Sequence, residues 1–327
     1  MLRRSVISVA GGAVLGAALP VIAQTQKALR RIGWLGTGAP DSSGHLLEAM
    51  RSALKALGWT EGQDIVIDVR WANGDVKRLD ANAADLLALK PDLIIASSTA
   101  AAQAAQRVTR DIPIVFAVVN DPLGSGLVAS WARPGGNVTG TATGAIEHAA
   151  KRLQLFKELV PSLLRVVALN DPSQSFSARN LDLIQLAAQQ LGIRLSVEHA
   201  STEQELGMAL DKISRDRPDG VFVMDSPLPL RHRKTVIARM AAARIPGSYP
   251  VDDYATDGGL LAYSVNYVER FQRAATYVDR ILRGAKPGDL PVELPTKFEL
   301  IINLKTARAL GLTIPQVLLL RADRVIE

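Results

Sequence analysis

The chain has 327 residues, 48% of them hydrophobic, with 38 Lys and Arg against 32 Asp and Glu and no cysteine. Without cysteine there is no disulfide, no thiolate metal site and no lipid-anchored cysteine behind a leader, and four histidines at 45, 148, 199 and 232, never four apart, give little support to an imidazole metal centre. The formal charge of +6 is spread without any run of Lys and Arg, which argues against nucleic acid as a partner, and the length sets two domains as the expectation.

The first predicted element in chain order is an export signal. Arg3 and Arg4 lead into the apolar run Val6–Leu19, Pro20 breaks it, and Val21, Ile22 and Ala23 put small or apolar residues before Gln24. The run is shorter than the ~20 apolar residues that cross a bilayer, and it contains glycines at 11, 12 and 16. A cleaved leader therefore fits better than a membrane anchor. The mature chain is expected to begin near Gln24 in the periplasm, as a monomer without a lipid anchor. The adjacent arginines also fit the twin-arginine route, so Sec and Tat both stay open. The leader carries two arginines and no acid, so its removal takes the formal charge from +6 to +4.

From Arg31 onward, short apolar runs alternate with longer amphipathic stretches, the order of repeated βα units with a parallel sheet. Ile32–Leu35 reads as the first strand and Gly36-Thr37-Gly38 as its exit loop. Ser42 or Ser43 is suited to cap a helix that runs to Leu57, where Gly58 ends it in a left-handed turn. Asp64–Arg70 is the second strand, Lys77–Leu89 the second helix and Leu93–Ala96 the third strand. Ser97-Ser98-Thr99 opens an alanine-rich helix to Val108, and Ile114–Val118 is a strand that ends at Asn120-Asp121-Pro122.

Pro134-Gly135-Gly136 is a turn, Val138–Thr141 a short strand, and a helix is expected from about Ala149 to Val160. There the pattern restarts: Val166–Leu169 ends in Asn170-Asp171-Pro172, and helix 178–191, strand 193–198, helix 202–215 and strand 220–224 follow. A helix at Leu230–Arg244, strands near Gly247–Pro250 and Leu260–Ser264, and a helix at Tyr267–Arg283 complete the regular part. Pro287, Pro291 and Pro295 space an extended connection to a strand at Phe298–Asn303, and Lys305–Leu310 and Pro315–Val325 close the chain. The expected class is α/β, with two Rossmann-like lobes of parallel sheet joined by three crossings. These are placed near Thr141–Gly144, Tyr263–Tyr267 and Leu290–Pro295. Lobe 1 is expected to comprise residues 24–143 and 267–290, and lobe 2 residues 144–266 and 291–327.

Three strings stand out along this frame. They are Gly58-Trp59-Thr60-Glu61-Gly62-Gln63 leading to Arg70-Trp71-Ala72-Asn73-Gly74-Asp75, the segment Asn120-Asp121-Pro122-Leu123-Gly124-Ser125-Gly126, and Ala132-Arg133-Pro134-Gly135-Gly136-Asn137. With the ending Asp289-Leu290-Pro291-Val292-Glu293 and Leu310-Gly311-Leu312-Thr313-Ile314-Pro315, they resemble the ABC-transporter substrate-binding family that includes tryptophan-binding members. The resemblance runs in order over essentially the whole mature chain. It implies a type I periplasmic-binding fold that captures a small solute and hands it to an inner-membrane permease. The chain departs from the family pattern at Met224-Asp225-Ser226-Pro227, where an acid directly before the proline is expected, and at Trp131, which replaces the more usual leucine.

Ligands of open parallel sheets bind beyond the carboxyl ends of the strands, so the exit loops supply the candidate site. Lobe 1 offers Thr37, the hydroxyls of Ser97, Ser98 and Thr99, and Asn120; lobe 2 offers Asn170, Asp225, Ser226 and Tyr263. The Ser97-Ser98-Thr99 triplet would hold a ligand carboxylate at a helix start; as an isolated motif it reads first as a plain helix cap, and its place at a strand's carboxyl end is what favours the ligand. An ammonium group would need a carboxylate, Asp225 first and Asp121 second. Trp34, Phe116, Tyr249 and Tyr263 are the available walls for an apolar side chain, while Trp71 and Trp131 read as structural. No nucleophile elbow, Walker loop, dinucleotide fingerprint or His-Glu-x-x-His motif is present, so a carrier without catalysis or cofactor is expected. A sensing subunit for a membrane receptor and, less well supported, an exported α/β enzyme are the alternatives.

Overall fold

The computed structural model describes residues 29–327, apart from the side chains of 145–147, and the predicted export signal lies outside the described residues. Two sheets organise the chain. The first contains β1 (Arg30–Gly36), β2 (Ile65–Trp71), β3 (Leu93–Ala96), β4 (Ile114–Val119) and β5 (Val138–Ala142), all parallel, in the order β2-β1-β3-β4-β5. Both faces of its inner strands are covered, which is why β3 and β4 are unbroken apolar runs buried at every position. The helices α1 (Pro40–Ala56), α2 (Leu79–Ala88) and α3 (Thr99–Val108) cover it, and α10 (Tyr267–Leu282) returns late in the chain to pack on α1 and β4.

The second sheet takes β6 (Arg165–Asn170), β7 (Arg194–His199), β8 (Gly220–Val223), β9 (Gly247–Tyr249), β10 (Leu261–Ser264), β11 (Glu299–Asn303) and β12 (Arg324–Ile326) in the order β12-β11-β10-β9-β8-β6-β7. It is covered by helices that include α4 (Ala145–Leu159), α5 (Ser177–Gln190), α6 (Glu203–Asp216) and α8 (Arg233–Ala243). The expectation of wholly parallel sheets needs one correction: β11 runs antiparallel to β10, with Glu299 opposite Ser264. The chain leaves β10 for the other lobe and comes back at that same end, so the returning strand must run backwards.

Several predicted boundaries move. The first helix begins at Pro40, whose missing N–H suits a first turn, and Ser42 sits inside it, accepting from Ala39 N at 3.2 Å rather than capping from outside. The helix expected at Leu230–Arg244 is two, α7 (Pro227–Arg231) and α8, which meet at His232. The chain passes between the lobes after β5, after β10 and before β11. The first and last passages run side by side, with Ala142 N donating to Glu293 O at 2.9 Å and Thr139 Oγ1 to Leu290 O at 2.7 Å. Gly140 pairs with Phe116 beside a register shift between β4 and β5; its φ is +149°, and a Cβ there would lie 2.0 Å from Phe116 O.

Candidate functional site

The carboxyl ends of the two sheets face each other across a cleft. Its first wall starts with Trp34, the penultimate inward residue of β1. Gly36, two residues on, has no side chain because the Trp71 ring occupies that space: a Cβ there would lie 2.3 Å from the indole. The two tryptophans meet edge to face at 5.9 Å, and Phe271 of α10 lies 5.3 Å from Trp34. The Trp34 indole N–H is buried and has no partner among the described residues.

Beside this wall the exit loops of β1, β3 and β4 are tied together by their hydroxyls. Thr37 N donates to Ser97 Oγ at 2.9 Å, Thr37 Oγ1 and Ser98 Oγ lie 2.6 Å apart, and Asn120 N donates to Thr99 Oγ1 at 3.2 Å. Ser98 accepts from Ala101 N at 3.2 Å and so caps α3, while it also lines the cleft. An ordinary cap and a place at the cleft wall are therefore compatible here. The helix start adds its partial positive charge to these hydroxyls, which together suit an anionic oxygen.

The second wall carries Asp225 after β8, with Ser226, Pro227, Leu230, Arg231, Gln174 and Phe176 around it. Asp225 Oδ2 accepts from Tyr267 OH at 3.2 Å, and the Asn120 amide also donates to its carboxylate. Asn120 Oδ1 in turn accepts from Thr143 Oγ1 at 2.5 Å. Burial pushes the Asp225 carboxyl above the usual range, opposed by the donors Asn120 and Tyr267 and by the charge of Arg152. Arg152 is itself buried in α4, with Nη2 donating to Val223 O at 2.7 Å and the guanidinium 3.7 Å over the Phe222 ring. Burial lowers it to about 9, and Asp225 acts the other way. Burial, with Asp225 beside it, raises the Tyr267 hydroxyl well above its ordinary value.

Contacts on the rim hold the lobes together. Arg179 Nη1 reaches Asp121 Oδ2 at 2.9 Å, His45 Nε2 lies 3.7 Å from Asp253 Oδ1, Arg233 Nη1 donates to Ser42 O at 3.5 Å, and Arg231 Nη1 donates to Asn73 O. Each joins an element of one sheet to an element of the other, so the cleft is closed in this conformation.

Of the residues singled out in the sequence, Thr37, Ser97, Ser98, Thr99, Asn120, Asp225 and Ser226 line this one cleft. Asn170 does not: its Oδ1 accepts from Ser177 Oγ at 2.8 Å and its amide meets His199 Nδ1 at 3.2 Å, holding it inside lobe 2. Tyr263 lines a smaller neighbouring pocket instead, with its ring 5.8 Å from Phe298. Ser226 faces the cleft with its hydroxyl committed to Asp171 Oδ2 at 2.6 Å. Asp121 is engaged with Arg179. Phe116 and Tyr249 are core residues, 0% and 2% exposed, and Trp71, read as structural, lines the cleft. Phe176, Phe271 and Tyr267 were not foreseen as walls. Tyr267 had a usable signal, since it opens a helix straight after a predicted crossing. Among the described residues no group of three His, Asp or Glu is placed to hold a metal ion, and no helix is long and apolar enough to cross a membrane.

A family model described as ABC transporter substrate binding protein matches residues 40–326. A tyrosine-binding protein of Clostridioides difficile is 30% identical over 268 residues, covering 81% of this chain and 77% of the relative. Among solved structures, an ABC domain from Streptococcus pneumonia in complex with L-Trp is 25% identical with a TM-score of 0.84, over 91% of this chain and 100% of the other. A conserved domain protein of Vibrio cholerae, 26% identical, also scores 0.84 over 90% of this chain and 99% of its own. The ligand-free, open structure of a substrate-binding protein with adhesive properties from Clostridium difficile scores 0.64 at 24% identity, over 91% of this chain and 99% of its own.

Proposed function

The chain belongs to the ABC transporter substrate-binding protein family, and we propose that it captures an amino acid with an aromatic side chain between its lobes and delivers it to a membrane permease. The observation that carries this reading is the meeting, in one cleft, of an aromatic wall, a hydroxyl-lined helix start and a buried carboxylate. Each matches one part of such a solute. The solute carboxylate lies against the hydroxyls of Ser97, Ser98 and Thr99 at the start of α3, where N–H groups and the helix dipole favour an anion. Its ammonium group meets Asp225, because a cation enclosed between lobes requires a charge partner. Its ring lies against Trp34, Trp71 and Phe271, and the unpartnered Trp34 N–H offers one further donor. The relatives support the same class, since one is described as tyrosine-binding and another was crystallised with L-Trp.

Transport works by closure. Solute held on one lobe bridges to the other and shifts an open–closed equilibrium by its preference for the closed form. The lobes divide at residues 24–143 with 267–290 and 144–266 with 291–327. In support, α10 packs on the first sheet, while Val292 and Glu293 still pair with Trp131 and Gly140, so the last crossing falls a few residues beyond 290. The protein acts in the periplasm as a monomer after removal of residues 1–23. The test is titration calorimetry of purified protein with L-tyrosine, L-tryptophan and L-phenylalanine, with nucleosides and sugars as controls. Saturable binding of at least one of the three, with no heat from the controls, is the expected result. Binding of a control and of none of the amino acids overturns the proposal.

A further inference from the structure

Behind Asp225, on the side away from the cleft, lies a second and smaller pocket at the hinge. Asp225 and Tyr267 are the partition, since each lines both spaces. The far wall holds Arg152, Asn180 and Ser264, which are 4%, 3% and 5% exposed. One polar atom of each has no partner among the described residues: Arg152 Nη1, Asn180 Oδ1 and Ser264 Oγ. A buried guanidinium N–H left unpaired is costly, and the acid whose field acts on Arg152 is Asp225. A donor, an acceptor and a hydroxyl left over around one small space suit a water that would bridge Arg152 and Asp225.

We propose that Arg152 is a positioning residue that holds Asp225 ionised across this pocket and thereby selects solutes with an ammonium group over those with a carboxylate alone. The inference rests on the reading that Asp225 meets the solute ammonium. The hydroxyl and amide groups that face Asp225 stabilise its ionised form as donors but carry no positive charge. Tyr267 and Tyr254 are neutral hydroxyls whose titration is pushed up, and Asn120 is an uncharged donor. Arg231, on the cleft side, is engaged with Asn73 O, while Arg233, which acts on Tyr254, is paired with Asp253 and Asp257. His148 lines the hinge pocket against Phe298, and the charges of Asp252 and Asp253 act on Tyr267. An ionised Asp225 attracts an ammonium and repels a second carboxylate, so one charge both favours the amino acid and rejects its deaminated counterpart.

The experiment is titration calorimetry at several pH values, in two buffers of different ionisation heat, which counts protons exchanged on binding. The probes are L-tyrosine, L-tryptophan and L-phenylalanine with their deaminated arylpropanoate counterparts. Wild-type protein is expected to prefer the amino acid by at least about tenfold and to exchange almost no proton at neutral pH. Arg152→Met is expected to release close to one proton on binding an amino acid at neutral pH, to lose about tenfold of the preference, and to regain it at mildly alkaline pH. Arg152→Lys keeps the charge and is expected to retain the wild-type proton count. Release of a full proton by the wild type, or identical proton counts and preferences in wild type and Arg152→Met, overturns the inference. The wild-type count decides the matter even where Arg152→Met does not fold. If no amino acid binds the wild type, the proposed function itself fails, a result distinct from binding with the wrong proton count.

Discussion

Asp225 is held against its own stability in the closed conformation, and that gives it a pH signature. Its carboxyl is raised in the folded protein, so folding favours the protonated form. The contribution is greatest below the ordinary Asp value, about 3.9, and is lost as pH rises through the higher folded value. Protein held in this closed conformation is therefore expected to lose melting temperature as pH rises across that acidic window, and Asp225→Asn to lose less, as thermal unfolding at a series of pH values would reveal. The same substitution is expected to weaken amino-acid binding by at least about tenfold, because a charge-assisted contact is removed. Trp71→Ala tests the aromatic wall: affinity for aromatic amino acids should fall about fivefold or more, together with a loss of melting temperature, since the ring also fills the space over Gly36 and packs on Trp34. The hydroxyls at 37 and 97–99 were legible in the sequence because a strand ends and a helix begins there. Trp71 was not, because its place over Gly36 depends on a neighbouring strand. Asn170 looked equivalent to Asn120, and only the positions of Ser177 and His199 distinguish the two.

The elements that deliver these side chains rest on local rules that can be broken singly. Ser98→Ala removes the cap of α3, which is expected to cost about 1 kcal/mol in denaturant unfolding and also to weaken solute binding, because the same hydroxyl borders the cleft. Gly140→Ala forces a methyl onto the Phe116 carbonyl and is expected to destabilise by more than about 2 kcal/mol or prevent folding. A cap rarely exceeds that. Fully buried strands such as Leu93–Ala96 were readable to the residue, because a sheet covered on both faces needs an unbroken apolar run. The strand Arg324–Ile326 was not, because it exists by pairing with β11 and carries exposed or half-buried residues of no distinctive pattern. The direction of β11 was equally hidden, since only the route of the chain through the hinge reverses it.

For the whole molecule, the alternation of strands and helices and the late proline-spaced connection made two lobes and their crossings legible, while the contacts that close the cleft were not. Arg179 and Asp121 are distant in sequence and meet only when the lobes close. Arg179 is 61% exposed, so the pair is screened and worth little: Arg179→Ala is expected to weaken solute binding by about twofold, with no change in the fold. Small-angle scattering from the purified protein, recorded alone and then with saturating L-tyrosine or L-tryptophan, tests solute-driven closure most directly. A smaller radius of gyration with solute, and a profile matching the closed coordinates, is the expected result. Identical profiles with and without both amino acids would contradict it.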